Sequence, residues 1–193
     1  IQAKLIALQA TCDQLLRLLN TSSNSTFTKG QQYGGGKIAY IDVTGVHGLI
    51  ISLNDVSGGP YTWRKALDTS KSAIGAFLGD GLLNTNLLIK VYGTTNTPTN
   101  TYAALVTKNY TGGGFTDWYL PSYSEWELIN ETRNLGVDLN IGTDSKYLTS
   151  SEDPWNFIGI QVLLYSSALN NGKGGIIGTG KDTPFPIRAV RKF

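Results

Sequence analysis

The sequence predicts an α+β protein in which an N-terminal coiled-coil helix and a polar linker precede one globular domain. Apolar side chains repeat with heptad spacing over residues 1–20, and residues 21–33 are rich in Ser, Thr and Asn. In residues 34–193, helical patterns fill the middle of the segment, while β-rich runs lie towards both of its ends. Because strands and helices do not alternate, a doubly wound nucleotide-binding fold is not expected.

The first element, residues 1–20, is predicted to be an oligomerisation helix. Its apolar positions are spaced 4-3-4-3-4, the pattern that keeps one stripe facing a partner helix. The seam residues are Ile1, Leu5, Leu8, Cys12, Leu15 and Leu19. Because the linker separates this helix from the domain, we expect another chain to cover the stripe. Packing on its own domain is the alternative, and the pattern does not set the number of helices.

The domain is predicted to open with a β-hairpin and to continue with helices. Two β-rich runs, Lys37–Val43 and Gly48–Leu53, flank a short turn that contains His47. The best-marked helix begins at a capping box formed by Ser122 and Glu125 and stops at Gly136. Further helical stretches are predicted at Tyr61–Gly79, Asn84–Tyr92 and Thr99–Tyr110.

Short strands are predicted for the remainder of the domain. They are Tyr147–Ser150, Phe157–Tyr165, Gly175–Ile177 and Ile187–Phe193. We expect the first and last strands to meet, which would close the domain on itself.

Composition excludes several functional classes. The 193 residues hold 16 Lys+Arg and 14 Asp+Glu, a net charge of +2, which is too small for a strongly basic nucleic-acid binder. One cysteine and one histidine leave no intrachain disulfide and no zinc site of the Cys/His type. Apolar runs of about four residues are too short for membrane insertion. With no methionine in the chain, we expect a fragment or a processed product whose targeting signals are out of view.

Motifs that carry catalysis are weak, and we do not expect an enzyme. Gly175–Lys181 satisfies G-x-x-x-x-G-K, but Asp182 replaces the Ser/Thr that would hold magnesium, and nearby prolines prevent the required helix. His47 lies between glycines and is interpreted as a turn residue. Glu127 and Glu131 are expected on a solvated helix face.

No metal site or cofactor is predicted. Glu152 and Asp153 could donate oxygens to calcium, but they lack the repeated acidic spacing of a dedicated loop. Calcium is therefore the one ion that the sequence leaves open.

Basic residues are the remaining candidates for ligand binding. Arg64 and Lys71 fall on one face of a predicted helix, and several lysines lie in loops without an acidic neighbour. Repetition of such a patch in an oligomer would raise avidity by roughly 10²–10⁴. The candidates are Arg64, Lys65, Lys71, Lys108, Lys146, Lys173, Lys181 and Lys192. The alternative is that these cations only keep the surface soluble.

Five ordered blocks of the chain are similar to a known family. They are Gly35–Ile50, the short Ala73 and Asn84 motifs, Gly113–Ser122 with Glu125, Tyr147–Glu152, and Ile187–Phe193. Together they span about residues 34–193 and resemble the Lcl C-terminal domain family. The predicted helix before the domain is what the end of a trimeric collagen-like stalk would look like.

This resemblance implies a C-type-lectin-like fold, a homotrimer, and a secreted or outer-membrane-associated protein at the bacterial surface. It also implies binding of sulfated glycosaminoglycans and a part in host-cell adhesion, biofilm formation and virulence. The Trp and Arg residues of the matching blocks are expected to support the fold: Trp118, Trp126, Trp155, Arg188 and Arg191. Arg188 and Arg191 lie three apart in a strand, so they point to opposite faces, and at least one should pair internally with an acid.

Two departures from related proteins narrow the implied function. The calcium-binding tripeptides of sugar-binding C-type lectins do not occur, so calcium-bridged sugar recognition is not expected. The formylglycine-generating enzymes of similar fold need cysteines in the domain, but Cys12 lies in the stalk helix. The sequence therefore favours an adhesin head that binds sulfated polysaccharides through lysine and arginine. The alternative is a trimerisation cap of a collagen-like stalk that mediates cell–cell contact without specific glycan binding.

Overall fold

The fold was analysed in a computed structural model and is α+β, as predicted. The residues described are 26–64, 79–95, 101–142, 145–153, 161–166 and 175–193. The strands are β1 Gln32–Tyr33, β2 Gly36–Ile41, β3 Gly48–Ser52, β4 Lys146–Glu152, β5 Gln161–Ser166, β6 Gly175–Gly180 and β7 Val190–Lys192. The α-helices are α1 Gly81–Tyr92, α2 Ala103–Lys108 and α3 Tyr123–Asn134, with one 3₁₀ turn at Gly112–Gly114.

Several predictions lie outside the described residues. They concern the helix at 1–20 with its six seam residues, Lys65, Lys71, Trp155 and Lys173.

The first sheet has the antiparallel strand order β1-β2-β3-β7, which confirms the predicted hairpin. β3 pairs with β7, so the last strand joins the hairpin through its second strand, and the predicted pairing of the first and last strands is wrong. At the end of this pairing, Gly48 and Phe193 exchange two main-chain hydrogen bonds of 3.2 Å. The end of the described chain is thereby held against the hairpin.

A β-bulge interrupts the hairpin at Ala39. Ile38 pairs with Ile50, but the next partners are Tyr40 and Leu49, so β2 advances two residues while β3 advances one. Because side chains alternate across a strand, the extra residue moves Tyr40 to the face that carries Leu49.

The second sheet has the antiparallel order β4-β5-β6. β6 covers Gly175–Gly180, a longer strand than predicted. The G-x-x-x-x-G-K segment is thus strand followed by turn and not a phosphate-binding loop before a helix.

The capping box of α3 is present as predicted. Ser122 accepts from the Glu125 main-chain nitrogen, and Glu125 accepts from that of Ser122. Gly136 follows the helix with a φ of 83°, a left-handed value that favours glycine.

Two other helix predictions need correction. α2 is shorter than the predicted Thr99–Tyr110. The predicted helix at 61–79 does not begin at Tyr61, because Tyr61 forms an antiparallel bridge with Phe185 and residues 61–64 are not helical. Arg64 is therefore not on a described helix face.

Two hydrophobic clusters lie on opposite faces of the first sheet. One contains Ile38 and Ile50 with Trp118, and the other contains Ile51 and Val190 with Trp126 of α3. Trp118 and Trp126 are fully buried, which confirms their predicted place in the core. Helix α3 thus covers one face of the sheet.

The structured domain begins before residue 34. The ring of Phe27 lies 4.9 Å from the rings of both Tyr33 and Phe193, measured between centroids. Tyr33 is part of β1. Residues 27–33, placed in the linker by their polar composition, therefore belong to the domain. None of the helices in the described part of the chain is long and apolar enough to cross a membrane.

Candidate functional site

The structure brings two predicted ligand residues together inside the domain. Arg64 forms an ion pair with Asp182, and Lys181 forms one with Glu152. The ammonium group of Lys181 also lies 4.4 Å from the ring centroid of Trp63. Burial lowers the pKa of Lys181, and the nearby charge of Arg64 lowers it further, while Glu152 opposes the shift. Arg64 and Lys181 therefore serve the fold, and we remove them from the predicted binding surface.

The two arginines of the blocks that resemble the known family, Arg188 and Arg191, also make their contacts within the domain. Arg188 is fully buried and donates to the main-chain oxygens of Ser52, Leu139 and Asn140. Arg191 points the other way and forms a bidentate pair with Asp117, with nitrogen–oxygen distances of 2.7 and 2.8 Å. The hydrogen bond from Arg191 lowers the pKa of Asp117. The predicted internal pairing with an acid is confirmed for Arg191, whereas Arg188 lies before β7, which begins at Val190 and is shorter than the predicted strand.

Three predicted ligand residues lie at the surface of separate elements. Lys146 begins β4 and Lys192 ends β7, and both are exposed, while Lys108 ends α2 and is partly exposed. Within the described part of the chain, no ion pair joins any of them. Ion pairs are instead formed by cations whose side chains are no more than 12% exposed, namely Lys37, Arg64, Lys181, Arg188 and Arg191. These paired cations differ from Lys108, Lys146 and Lys192 in both pairing and exposure.

Lys192 lies in a cleft of about 470 Å³ between the hairpin, β7 and the start of α3. We call it the hairpin cleft. Its floor is a row of three side chains in register across the sheet, because Tyr40 pairs with Leu49 and Leu49 pairs with Lys192. Side chains paired in this way lie about 5 Å apart at Cβ. The bulge at Ala39 is what brings Tyr40 into this row.

A second row of side chains forms the outer edge of the hairpin cleft. Asp42 and His47 flank the turn, and the Asp42 main-chain nitrogen donates to the His47 oxygen at 2.9 Å. Asp42 Oδ1 accepts from the main-chain nitrogen and hydroxyl of Thr44 and from the nitrogen of Gly45. The hydroxyl contact holds the pKa of Asp42 below its ordinary value. His47 Nδ1 lies 3.2 Å from the main-chain oxygen of Phe193.

Helix α3 supplies the opposite wall through Glu125 and Leu128. Glu125 is buried; its Oε1 accepts from the Tyr119 hydroxyl at 2.9 Å, and its Oε2 accepts from Ser122 at 2.9 Å. Burial raises the pKa of Glu125, while these hydrogen bonds and the charge of Lys192 oppose the rise. Both carboxylate oxygens are therefore already engaged with the protein.

Most of this cleft carries no signal in the sequence. Charge marks Lys192 as a candidate, and His47, predicted to be a turn residue, lies directly after the turn at 43–46. Tyr40, Leu49 and Leu128 carried no signal beyond strand or helix pattern. Only the register of three strands reveals that they share one concave surface.

The described residues contain no group of three or more His, Cys, Asp or Glu side chains arranged to hold a metal ion. Glu152, one half of the pair considered for calcium, is bound to Lys181. Neither family models nor curated proteins provide a match to this chain. Function is therefore inferred from the residues themselves.

Proposed function

We propose that this chain is the head of a homotrimeric bacterial surface adhesin, of C-type-lectin-like fold, that binds sulfated glycosaminoglycans in host-cell adhesion and biofilm formation. The surface lysines Lys108, Lys146 and Lys192 are the proposed contacts. One observation carries the proposal: buried cations are matched with carboxylates, whereas these three lysines have no ion pair in the described part of the chain.

Polyanion chemistry explains why such lysines suit a sulfated chain. Each ammonium group can form a charge-assisted hydrogen bond with a sulfate or carboxylate oxygen. Binding also releases counterions condensed on the polymer, so affinity falls steeply as salt rises. Single contacts of this kind are weak, and a trimer held by the predicted 1–20 helix would repeat each contact three times.

Heparin chromatography at low ionic strength tests the proposal. We expect retention of the full chain, and we expect Lys108→Gln/Lys146→Gln to elute at clearly lower salt. The slope of log Kd plotted against the logarithm of the salt concentration should decrease by about one for each lysine removed. The matched control, Lys29→Gln/Lys90→Gln, removes the same charge from lysines outside the proposed set.

Two results would count against the proposal. If the wild-type chain passes through heparin without retention, glycosaminoglycan binding is wrong and the structural-cap alternative is favoured. If heparin retention decreases equally in both double variants, binding depends on overall charge and the assignment of Lys108 and Lys146 as contacts is wrong.

A further inference from the structure

We propose that the hairpin cleft binds a single acidic sugar unit, with its carboxylate or sulfate group held by Lys192 and its ring packed against Tyr40 and Leu128. The choice of a saccharide rests on the proposed function, whereas the cleft itself stands on its geometry. The cleft thus adds a binding site for one sugar unit to the contacts proposed for the surface lysines.

Lys192 supplies the fixed positive charge. It is exposed, it lines the cleft, and no ion pair joins it in the described ranges. Its main chain is held by pairing with Leu49, so its position in the row is set by the sheet. A lysine anchored on a strand loses less freedom on binding than one in a loop.

His47 lies in the cleft with its ring oriented by the protein. The Phe193 oxygen is an acceptor, so Nδ1 must carry the hydrogen in their 3.2 Å contact. The imidazole ring therefore has a defined orientation in the cleft, where its resonances can report on a bound ligand.

Two acids also line the cleft, and neither forms an ion pair with Lys192 in the described ranges. Asp42 accepts hydrogen bonds from Thr44 and Gly45 of the turn, and Glu125 accepts from Tyr119 and Ser122. The ammonium group of Lys192 is therefore available to an anionic ligand.

The walls fit a sugar ring. Tyr40, Leu128 and Phe193 are half-buried and present aromatic and aliphatic surface, against which the apolar CH face of a pyranose can pack. The volume of about 470 Å³ lies within the roughly 300–1,000 Å³ of ordinary small-molecule sites. A few polar groups on an apolar cleft are typical of such sites.

The test is direct titration of the full chain by NMR with three probes: N-acetylglucosamine 6-sulfate, glucuronic acid and neutral N-acetylglucosamine. We expect the two acidic sugars to shift resonances of His47 and Tyr40, and the neutral sugar to shift them far less. Inorganic sulfate is the fourth probe. If sulfate binds as tightly as the acidic sugars, the ring contributes nothing and the saccharide assignment is overturned.

Variants separate the cleft from the wider surface. Lys192→Gln should weaken binding of the acidic sugars about tenfold or more, because a charge-assisted contact is lost. Lys90→Gln makes the same charge change on α1, outside the cleft, and should leave the affinity for the acidic sugars unaltered. If both variants changed this affinity equally, Lys192 would not be the residue that holds the anionic group. Heparin retention without any acidic-sugar binding would refute the cleft and leave the proposed function standing.

Discussion

At the scale of single residues, Arg188 is a buried charged side chain that stabilises the interior of the domain by hydrogen bonds. Its guanidinium donates to three main-chain oxygens, at 2.8 Å for Asn140 and 3.1 Å for Leu139 among them. Burial lowers the pKa of Arg188, while nearby Tyr147 and Asp55 oppose the shift. The side chain therefore ties the loop at 139–140 to the end of β3.

Replacement of Arg188 by methionine should lower the free energy of unfolding by about 3–5 kcal/mol. The variant keeps much of the buried volume, but it leaves buried carbonyl groups without donors. Urea denaturation measures the change. Lys146→Met, which alters an exposed residue, should change stability by less than about 0.5 kcal/mol. A loss of that small size in Arg188→Met would show that the hydrogen bonds are not needed.

The interior role of these arginines was predictable, but their partners were not. Spacing along a strand placed Arg188 and Arg191 on opposite faces. Asp117 lies 74 residues from Arg191, and Ser52 lies 136 residues from Arg188. No local pattern specifies which distant groups meet a given side chain.

At the scale of elements, the hairpin depends on glycine at position 48. A Cβ there would overlap the main-chain oxygen of Tyr40 and lie 2.8 Å from a ring carbon of Phe193. The strands can approach this closely only because position 48 has no side chain. The same approach sets the hydrogen bonds between Gly48 and Phe193 that shape the hairpin cleft.

Gly48→Ala should therefore lower the free energy of unfolding by about 1–3 kcal/mol, the usual cost of forcing extra volume into a packed site. It should also perturb the resonance of His47, which contacts Phe193. Gly79→Ala is the control, because a Cβ at that position would meet nothing within 4 Å. Equal stability of Gly48→Ala and wild type would mean that the strands separate without cost.

At the scale of the whole molecule, the first described residues pack against the last. Phe27, Tyr33 and Phe193 form one aromatic cluster, and Phe193 also lines the hairpin cleft. The point at which any preceding segment enters the domain is therefore close to the proposed sugar subsite.

Assembly can be tested through the predicted seam. Leu8→Asp/Leu15→Asp should convert a trimer into monomers in analytical ultracentrifugation, because charges would replace apolar contacts between helices. Heparin retention should decrease when the trimer dissociates, because a monomer presents each weak contact only once. Ala3→Asp/Ala10→Asp adds the same charge away from the heptad seam and should leave the trimer intact. Monomers in the wild-type chain would overturn the predicted assembly.

Local features of this protein were determined by the sequence alone. The hairpin, the capping box of Ser122 and Glu125, the stop at Gly136 and the burial of Trp126 follow from patterns within a few residues. Such features depend on neighbours along the chain, so they can be predicted without the tertiary structure.

The cleft and the division of the cations were decided only by the tertiary structure. One bulge moves Tyr40 to the face of Leu49 and Lys192, and residues from the hairpin and the remote strand β7 then form a single row. Likewise, Lys181 and Lys192 look alike in sequence, but only the fold places a carboxylate against the first and a cleft around the second. The physical reason is that strand register and burial arise from contacts between remote segments, which side-chain periodicity along one segment does not encode.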